Sequence, residues 1–593
     1  MSEKKICQNC KKSFAIEPED FQFYEKMQVP PPTWCPECRN MRRMAAREIR
    51  TFYRDTCKLC GRSIISIHAP DGPFTVYCRE CWQSDKWDPM DHGREYDFER
   101  PFFAQYRELM EAVPRPALTG TNSVRSDFSS GGHSCKNCYM VFLSYYTEDS
   151  QNSWGLLMSR SAFDCFISDN SDHAYETLHV NRMYRVRFAY FSDDCMDSSF
   201  LFNCVGCSDC FGCVNLRKKK YCLWNEQLSR EEYAERMKYW DLGDHRKLRE
   251  AKEKFRALYL ALPHRYAQIV SSRNVTGDVI RDAKDCQSCF SVLDGVQNCK
   301  YIYFAGLNLK DSYDVSGSGD MSELLYESTH CARSQNCSFA NGGGNNSRNT
   351  RYCIWTDNCS DLFACINLRN KRHCVFNKQY GEKEYEALVA KIIAQMNERP
   401  YMDRRGRVYR YGEFSPPEFS AFPYNQSFAF DWYPKTKEQV EGEGWQWADP
   451  PRREYKITLR AEDLPDHIRD APDSILAETI GCEHADIGCN EQCTTAFRVT
   501  KEELAFHREM NLALPRMCPS CRYAQRLGWR NKLNLYRRRC DCSEVAGAAK
   551  GNYKNAASHF HGRERCPTEF ETTFPPTGPE IIYCEQCFRS EFL

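Results

Sequence analysis

The sequence lacks a long apolar run, an apolar leader and an excess of charge of either sign. No stretch approaches the roughly 18 consecutive apolar residues of a membrane-spanning helix, so we expect no membrane span. The first residues, MSEKKICQNC, lack the apolar core of a signal peptide, and we therefore expect a cytoplasmic protein. Basic and acidic residues both number 81. No whole-protein field therefore attracts nucleic acid or membranes, and any basic surface must be local.

Cysteine is abundant, with 36 residues in the chain. Because a reducing cytoplasm keeps thiols free, closely spaced cysteine pairs indicate metal ligands more than disulfides. The cysteines form four groups, with eight in 1–95, nine in 130–225, nine in 285–375 and ten in 480–593. The outer and inner groups differ in spacing and receive different interpretations.

The N-terminal group has the spacing of two four-cysteine zinc sites. Its Cys-x2-Cys pairs are separated by 24 and by 17 residues, which suits tetrahedral Zn²⁺ chelated from both sides. Four thiolates close the coordination sphere, so we expect structural zinc. The predicted ligands are Cys7, Cys10, Cys35 and Cys38 for module 1, and Cys57, Cys60, Cys78 and Cys81 for module 2.

The C-terminal group repeats this plan. At an offset of 483 residues FAIEPEDFQFYEKMQVPPPTWCPECR aligns with FRVTKEELAFHREMNLALPRMCPSCR, and at 506 the second module returns after an insertion of 23 residues. The predicted ligands are Cys489, Cys493, Cys518 and Cys521 for module 3, and Cys566, Cys584 and Cys587 with either Cys540 or Cys542 for module 4. The offset favours Cys540, and loop geometry leaves Cys542 open. We interpret Cys482 and His484 as structural residues. His559 and His561 are weaker candidates for the fourth ligand, and we interpret them as surface histidines. We expect about four zinc ions per chain.

An arginine stripe follows the last cysteine pair of modules 1 and 3. Its four positions match at the offset of 483, and the first three are four residues apart, which places them on one helix face. One interpretation is a phosphate-tracking surface for nucleic acid. The alternative, of equal weight, is compensation of the thiolate charge and pairing with local acids. The stripes are Arg39, Arg43, Arg47 and Arg54, and Arg522, Arg526, Arg530 and Arg537.

The inner groups belong to a second duplication, residues 135–237 and 286–389. YETLH at 175 matches YESTH at 326, and FGCVNLRKKKYCLWN at 211 matches FACINLRNKRHCVFN at 363. Short apolar runs alternate with polar–cysteine dyads without helical periodicity. We therefore expect parallel β-helix-like solenoids with asparagine ladders and a capping helix.

The run Cys204, Cys207, Cys210 and Cys213 has a spacing that suggests an iron–sulfur cluster. Its internal copy keeps two of the four cysteines. We therefore favour stacked core thiols, with a cluster or a further zinc as alternatives.

Two resemblances extend these observations. The stretch CPECRNMRRMAAREIRTFYRDTC resembles a short zinc-ribbon or treble-clef-like domain family, which implies zinc at both ends of the chain. Over nearly its full length, the chain resembles an uncharacterised cysteine-rich zinc-ribbon family of candidate-phyla bacteria. Its mark is C-x-NLR-x-K-x-x-C-x-x-N followed by an E-x-Y helix. This resemblance implies organisation and no mechanism.

The predicted fold class is mainly β with α, with two tandem cysteine-rich solenoid repeats flanked at both ends by duplicated four-cysteine modules. The predicted order is module 1 (1–50), module 2 (51–97), a helical connector (98–127), solenoid copy 1 (128–228), a helical segment (229–284), solenoid copy 2 (285–380), a capping helix (381–399), an aromatic and proline-rich strap (400–478), module 3 (479–533) and module 4 (534–593).

Three functions are compatible with this pattern. The first is a non-catalytic zinc protein that binds nucleic acid, with RNA favoured, through the arginine stripes. The second is a protein-interaction scaffold that uses the solenoid surface. The third is a β-helix enzyme with Asp193 and Asp194 as its carboxylate pair, although the second copy has no carboxylates there. No phosphate-binding loop stands out, and a small-molecule substrate is not indicated.

Overall fold

The computed structural model describes residues 2–48, 50–317, 319–342, 344–449, 455–485, 492–544, 550–551 and 553–593. The chain divides into two compact units, each assembled from two separate segments: 1–118 with 267–450, and 119–266 with 451–593. The first unit therefore combines modules 1 and 2 with solenoid copy 2, and the second unit combines solenoid copy 1 with modules 3 and 4. Within the described ranges, no helix has both the length and the apolarity needed to cross a bilayer.

Each unit contains a β-solenoid, which confirms the predicted fold class. Most of its strands form one mainly parallel sheet that ends in an antiparallel hairpin. Twelve residues separate partners in successive coils of copy 1, as in Phe166 and Leu178, whereas the steps of copy 2 vary from eleven, as in Ile269 and Ile280, to thirteen, as in Lys284 and Gln297.

The strands of copy 1 are Gly120–Thr121, Gly132–His133, Tyr139–Phe142, Gln151–Leu157, Arg160–Phe163, Phe166–Asp169, Asp172–Tyr175, Leu178–Asn181, Tyr184–Tyr190, Ser199–Phe202, Phe211–Val214, Cys222–Leu223 and Glu226–Gln227. Those of copy 2 are Ile269–Val270, Arg273–Arg281, Ala283–Leu293, Val296–Gly306, Tyr313–Ser316, Glu323–Thr329, Gln335–Ser338, Gly344–Asn345, Arg348–Arg351, Thr356–Asp357, Ser360–Phe363, Arg372–Val375 and Lys378–Gln379.

A repeat of three residues builds each coil. Along most of both solenoids every third residue has a positive φ, such as 50° at Asn203 and 49° at Asp209. Asparagine, aspartate and glycine tolerate this left-handed conformation best. The residue that follows is buried in the coil, as Cys204 and Cys210 are. The Cys-x2-Cys spacing of the inner run is therefore the three-residue repeat within a coil, and these cysteines are core thiols.

Small polar side chains fill the narrow interior because they can bond to the backbone. The Ser159 hydroxyl donates to the carbonyl of Ser168 at 2.8 Å and accepts from the amide of Ser171 at 3.2 Å. The Cys204 thiol lies 3.4 Å from the carbonyl oxygen of Cys213, in the same geometry. Serine and cysteine thus remain hydrogen-bonded inside the coil, which removes most of the cost of burying them.

Asparagine ladders run along the outside, as predicted. The amide of Asn346 donates to Asn358 at 2.9 Å, and that of Asn358 donates to Asn370 at 2.6 Å. A second ladder joins Asn336, Asn349 and Asp361, with both steps at 2.9 Å. Each step spans one coil, so the side chains reinforce the coil register.

The asparagines of the repeated NLR motif close the ends of the solenoids. Asn377 accepts from the amide of Ile366 at 2.7 Å and donates to its carbonyl at 2.9 Å. Asn225 bonds to both backbone groups of Val214 in the same way, and Asn215 and Asn367 donate to the carbonyls of Pro263 and Pro114. These side chains replace the backbone partners that a further coil would supply.

Helices cover the ends and flanks of the solenoids. Arg230–Met237 begins at the predicted capping box, in which the Glu232 amide donates to the Ser229 hydroxyl at 3.2 Å. The α-helices are Pro18–Lys26, Pro36–Ala45, Arg79–Gln83, Phe102–Ala112, Arg230–Met237, His245–Ala261, Glu382–Glu398, Phe428–Trp432, Lys437–Gly442, Lys501–Glu509, Pro519–Leu527 and Glu585–Phe592, and the 3₁₀ helices are Pro89–His92, Pro417–Phe419, Tyr424–Gln426, Ala461–Asp463, Ile468–Asp470 and Asp473–Ala477.

Short strand pairs complete the fold outside the solenoids. They are Glu3–Ile6 with Ser13–Ile16, Tyr53–Thr56 with Ser63–Ser66, Val76–Tyr77 with Arg115–Pro116, Pro263–Arg265 with Ile581–Tyr583, Tyr401–Met402 with Val408–Tyr409, Ile480–Gly481 with Ala496–Phe497, and Tyr536–Arg539 with Glu569–Thr572. Of the predicted aromatic strap, residues 400–449 lie in the first unit and bury Tyr409, Tyr424 and Phe428.

Candidate metal centres and the arginine stripes

The four metal modules share one plan. The first two thiols lie in or beside an antiparallel hairpin. A helix begins at the third thiol, and the fourth thiol lies one helical turn further along. In module 1 the hairpin is Glu3–Ile6 with Ser13–Ile16, and Cys35 is the N-cap of Pro36–Ala45. Cys78, Cys518 and Cys584 are N-caps in the other three modules. A helix N-terminus favours negative charge, so this position favours the thiolate form.

The sulfur atoms are spaced for tetrahedral coordination. Zn–S bonds of about 2.3 Å place sulfur atoms about 3.8 Å apart at the corners of a tetrahedron. The observed separations are 3.7 Å for Cys10–Cys35, 4.0 Å for Cys60–Cys78, 3.8 Å for Cys493–Cys518 and 3.9 Å for Cys566–Cys584. A disulfide would require about 2.05 Å. All four groups can therefore hold a metal ion.

One hydrogen bond identifies equivalent ligands in all four modules. The backbone amide of the helix N-cap cysteine donates to the sulfur of the first ligand at 3.1–3.2 Å. The donor and acceptor pairs are Cys35 with Cys7, Cys78 with Cys57, Cys518 with Cys482, and Cys584 with Cys540. Side-chain hydrogen bonds lower the pKa of Cys7, from Cys35 first, and the pKa of Cys518, from Cys482 first.

Module 3 uses a ligand that the sequence interpretation set aside. Cys482 groups with Cys493, Cys518 and Cys521, and occupies the position of Cys7. The predicted ligand Cys489 lies outside the described residues. The strands Ile480–Gly481 and Ala496–Phe497 pair, and Cys482 directly follows the first of them. The sequence signal for Cys482 is its position directly after a short apolar segment. The spacing to the next ligand differs from that of module 1, and this difference conceals the signal.

Module 4 places the two candidate cysteines in different groups. Cys540, the alternative that the offset favours, lies with Cys566, Cys584 and Cys587. Cys542 lies instead with His559, His561 and Cys587. The two histidines, interpreted from sequence as surface residues, are thus part of a cysteine-rich cluster.

The solenoid thiols differ from these groups. All are buried, and none belongs to a group of metal-ligand geometry among the described residues. Burial raises the pKa of Cys165 and of Cys337 to about 11 in each case. These two thiols are protonated packing residues at neutral pH.

The arginine stripe of module 1 is buried against solenoid copy 2. Arg39 binds Asp314 at 2.8 Å, and Arg43 binds Glu327 at 2.9 Å and Asp314 at 3.2 Å. Arg42 also binds Glu327, at 3.0 Å. Burial by itself would raise the pKa of Glu327, but Arg42 and Arg43 outweigh it, and the pKa is lowered. Burial raises the pKa of Asp314 despite the opposing charge of Arg39.

The stripe of module 3 makes equivalent contacts with solenoid copy 1. Arg522 binds Asp164 at 2.7 Å and Glu503 at 2.9 Å, and Arg526 binds Asp164 at 3.1 Å. These side chains are no more than 3% exposed. Arg522 and Arg526 are the counterparts of Arg39 and Arg43 at the offset of 483.

Aromatic contacts repeat in the same two places. Phe23 stacks on Tyr313 with ring centres 3.9 Å apart, and its counterpart Phe506 stacks on Phe163 at 4.1 Å. We call the buried arginine, carboxylate and aromatic contacts between a module and its solenoid the module–solenoid interface. The repeated arginines maintain this interface, which corresponds to the predicted pairing with acids.

The remaining stripe arginines are placed differently. Arg47 is buried beside the ring of Phe428, and Arg530 is half-buried above the ring of Phe166. Arg54 and Arg537 are exposed, and Arg537 pairs with Glu569 at 2.6 Å. Because Arg39, Arg43, Arg522 and Arg526 are buried and ion-paired, the predicted exposed stripe for phosphate contacts is corrected: only its last positions face solvent.

Comparisons with known proteins give no functional relative. No protein-family model and no curated protein matches the chain. One matching solved structure is a crystal structure of a Desulfovibrio desulfuricans G20 protein that carries an acetyltransferase name. It is 10% identical, covers 49% of this chain and 75% of its own, and has a TM-score of 0.10. This likeness carries no argument about fold or function. The comparisons also give no support for the bacterial family that the sequence resembles.

Proposed function

We propose that this chain is a non-catalytic scaffold in which structural zinc modules are held on the β-solenoid of their own unit. We also propose that the exposed surface of a solenoid binds a partner. The observation that carries the proposal is the burial of Arg39, Arg43, Arg522 and Arg526 against solenoid carboxylates. These arginines form ion pairs inside each unit, which supports a role in holding each module on its solenoid. Sites of four cysteines leave no ligand position for substrate water, which supports a structural role.

Zinc is the metal that this ligand set favours. Thiolate groups in tetrahedral arrangement suit Zn²⁺ or iron–sulfur chemistry, and hard-cation sites use oxygen ligands. Metal analysis of the purified chain by mass spectrometry tests this point. Zinc at four or more ions per chain agrees with the proposal, and stoichiometric iron contradicts it.

The partner surface that we propose is a polar groove on solenoid copy 2. Its lining combines three exposed arginines, one lysine and an asparagine ladder, so it favours an anionic partner with hydrogen-bonding groups. The lining residues are Arg333, Gln335, Asn346, Ser347, Arg348, Asn358, Cys359, Ser360, Asn370, Lys371, Arg372 and Gln379. No aromatic residue is among them, whereas single-stranded nucleic acid sites usually present stacking rings. We therefore place an acidic protein segment first.

A fluorescence anisotropy titration with a glutamate-rich peptide tests this groove. We expect Arg333→Glu, Arg348→Glu and Arg372→Glu together to weaken binding at least tenfold. The matched control reverses three exposed arginines elsewhere, Arg404, Arg246 and Arg563, and leaves the groove intact. Equal loss in both triple variants, or no binding by the unmodified chain, would reject the groove as the partner site.

Nucleic acid binding is the second candidate, because the same cations can contact phosphates. A labelled U-rich RNA oligonucleotide in the same titration measures it. If RNA is the partner, affinity falls steeply with salt, and the groove variant reduces the salt slope. If Arg522→Ala weakens RNA binding while the fold stays intact, the original stripe hypothesis replaces the present proposal.

A further inference from the structure

An insertion in module 4 carries metal-ligand side chains that module 2 lacks. Module 2 joins its first two thiols by a short knuckle, Cys57 to Cys60, whereas in module 4 the equivalent thiols are Cys540 and Cys566. The inserted stretch contains Cys542, His559 and His561. We infer that this insertion binds a metal ion of its own, held by these three residues and Cys587.

The four ligand atoms already have the separations of a coordination shell. They all lie within 4.8 Å of one another, although the four residues span positions 542 to 587. His561 Nε2 is 3.4 Å from Cys587 Sγ, and a tetrahedral Zn²⁺ with these ligands would place the two atoms about 3.5 Å apart. Cys542, His559 and Cys587 are buried and His561 is half-buried.

Outer hydrogen bonds orient both histidines. His559 Nε2 donates to Glu591 at 2.8 Å, and His561 Nδ1 donates to the carbonyl of Glu564 at 2.6 Å. Metal-bound histidines typically use their second nitrogen in this way, which leaves the first nitrogen deprotonated for the metal. Glu591 is itself fixed by the hydroxyl of Tyr553 at 2.6 Å.

A second observation points to a missing partner at the same place. His559 Nδ1 is buried and has no hydrogen-bond partner among the described residues. A buried ring nitrogen without a partner is costly, and a metal ion at the centre of the group satisfies it. The amide of Asn555 also donates to Cys542 Sγ at 3.3 Å, as donors around zinc thiolates do.

Cys587 belongs to both groups of module 4, so its sulfur bridges two metal ions. The shared centre contains the thiolates Cys540, Cys542, Cys566, Cys584 and Cys587 with the imidazoles His559 and His561. Five thiolates and two dications leave one net negative charge, whereas a single four-thiolate site leaves two. Sharing a thiolate therefore lowers the uncompensated charge in a buried site. Zinc suits both ligand sets.

Metal stoichiometry of the full chain tests this site. We expect five zinc ions per chain in the unmodified protein. We expect four in the His559→Asn/His561→Asn variant and four in Cys542→Ser, because the Cys540 site stays complete in both. His133→Asn, a histidine of solenoid copy 1, is the control and should retain five. Cys587→Ser should lose more than one ion, since both sites use its sulfur.

Cobalt substitution gives an independent readout. Co²⁺ in the fifth site adds tetrahedral ligand-field absorption, and this increment should vanish in the double histidine variant. Four ions in the unmodified chain, or an unchanged count in the double histidine and Cys542 variants, would overturn the inference. Four ions in the unmodified chain and in the histidine, Cys542 and His133 variants, with three in Cys587→Ser, would still leave the four-module scaffold intact, so the two proposals fail separately.

Discussion

At the residue scale, cysteine serves two chemically different roles in one chain. In the modules, thiols converge with sulfur separations of 3.6–4.0 Å, and helix N-termini favour their ionised form. In the solenoids, thiols occupy some of the inward positions that recur every third residue, and they bond to backbone carbonyls. Spacing alone does not distinguish the two, since Cys-x2-Cys occurs in both. Convergence of residues distant in sequence distinguishes them.

A pair of substitutions separates these roles. Cys35→Ala should lower the zinc content by one ion per chain and unfold module 1, because structural zinc supplies about 10–16 kcal/mol in small zinc domains. Cys204→Ala removes a similar atom from the solenoid core, and should leave the zinc content unchanged. Metal analysis with near-ultraviolet circular dichroism measures both effects. Loss of metal on changing Cys204 would reassign the inner thiols as ligands.

A buried histidine predicts loss of stability in acid. His264 is 1% exposed, and burial lowers its pKa to about 3. The unfolded chain binds a proton near pH 6.5 and the folded chain does not, so stability falls as pH decreases from about 6.5 towards 3. The slope for one such group is at most about 1.4 kcal/mol per pH unit.

The measurement is unfolding free energy by denaturant titration between pH 4 and 7. His264→Gln keeps a donor for the Tyr259 carbonyl, which lies 2.9 Å from Nε2. This variant should show a shallower loss in acid than the unmodified chain. Parallel pH profiles for the two proteins would show that His264 is not proton-linked to folding.

At the element scale, the coil is the repeating unit, and the sequence predicted it incompletely. Duplicated motifs, short apolar runs and asparagine dyads indicated a solenoid, its ladders and its capping helix. The three-residue period was visible in Cys204, Cys207, Cys210 and Cys213, where it first suggested a cluster motif. Elsewhere serine, alanine, valine and leucine alternate with cysteine at the inward position. Because the inward residues differ in chemical type, the three-residue period is hard to see in the sequence, although the structure repeats it regularly.

The end asparagine provides a test of how a solenoid end is closed. Asn377 is fully buried and makes hydrogen bonds to Ile366 and to the carbonyl of Pro89. Asn377→Ala leaves these backbone groups without partners, which costs about 1–3 kcal/mol for each buried group. We expect faster amide hydrogen exchange in the strand Arg372–Val375 and its neighbour. Asn346→Ala, on the exposed ladder, is the control and should change amide exchange little. Equal effects of the two substitutions would show that Asn377 does not have a specific role in closing the solenoid end.

At the scale of the whole molecule, each unit joins one end of the chain to a solenoid from the other half of the internal duplication. In sequence order modules 1 and 2 precede solenoid copy 1, and no local pattern specifies the observed pairing with copy 2. Its determinants are individual carboxylates: Asp314 and Glu327, which lie on strands of copy 2, and Asp164, which lies in a bend between two strands of copy 1. The arginine stripes were found from the duplication, but their partners could not be found without the fold.

The central claim is that the repeated arginines hold the modules on the solenoids, and a double-mutant cycle on Arg522 and Asp164 tests it. Removing one member of a buried ion pair costs about 3–5 kcal/mol, whereas Arg537→Ala, at an 81% exposed side chain, should cost less than about 1 kcal/mol. Native-state hydrogen exchange in the helix Pro519–Leu527 reports the stability of module 3 for each variant.

We predict that Arg522→Ala and Asp164→Ala each destabilise this helix strongly, with a coupling energy of about 0.5–3 kcal/mol between them. The double variant should then be more stable than the sum of the two single losses implies. Negligible losses of helix stability without coupling, together with weaker RNA binding by Arg522→Ala, would contradict the account. The arginine stripe would then be assigned to nucleic acid recognition.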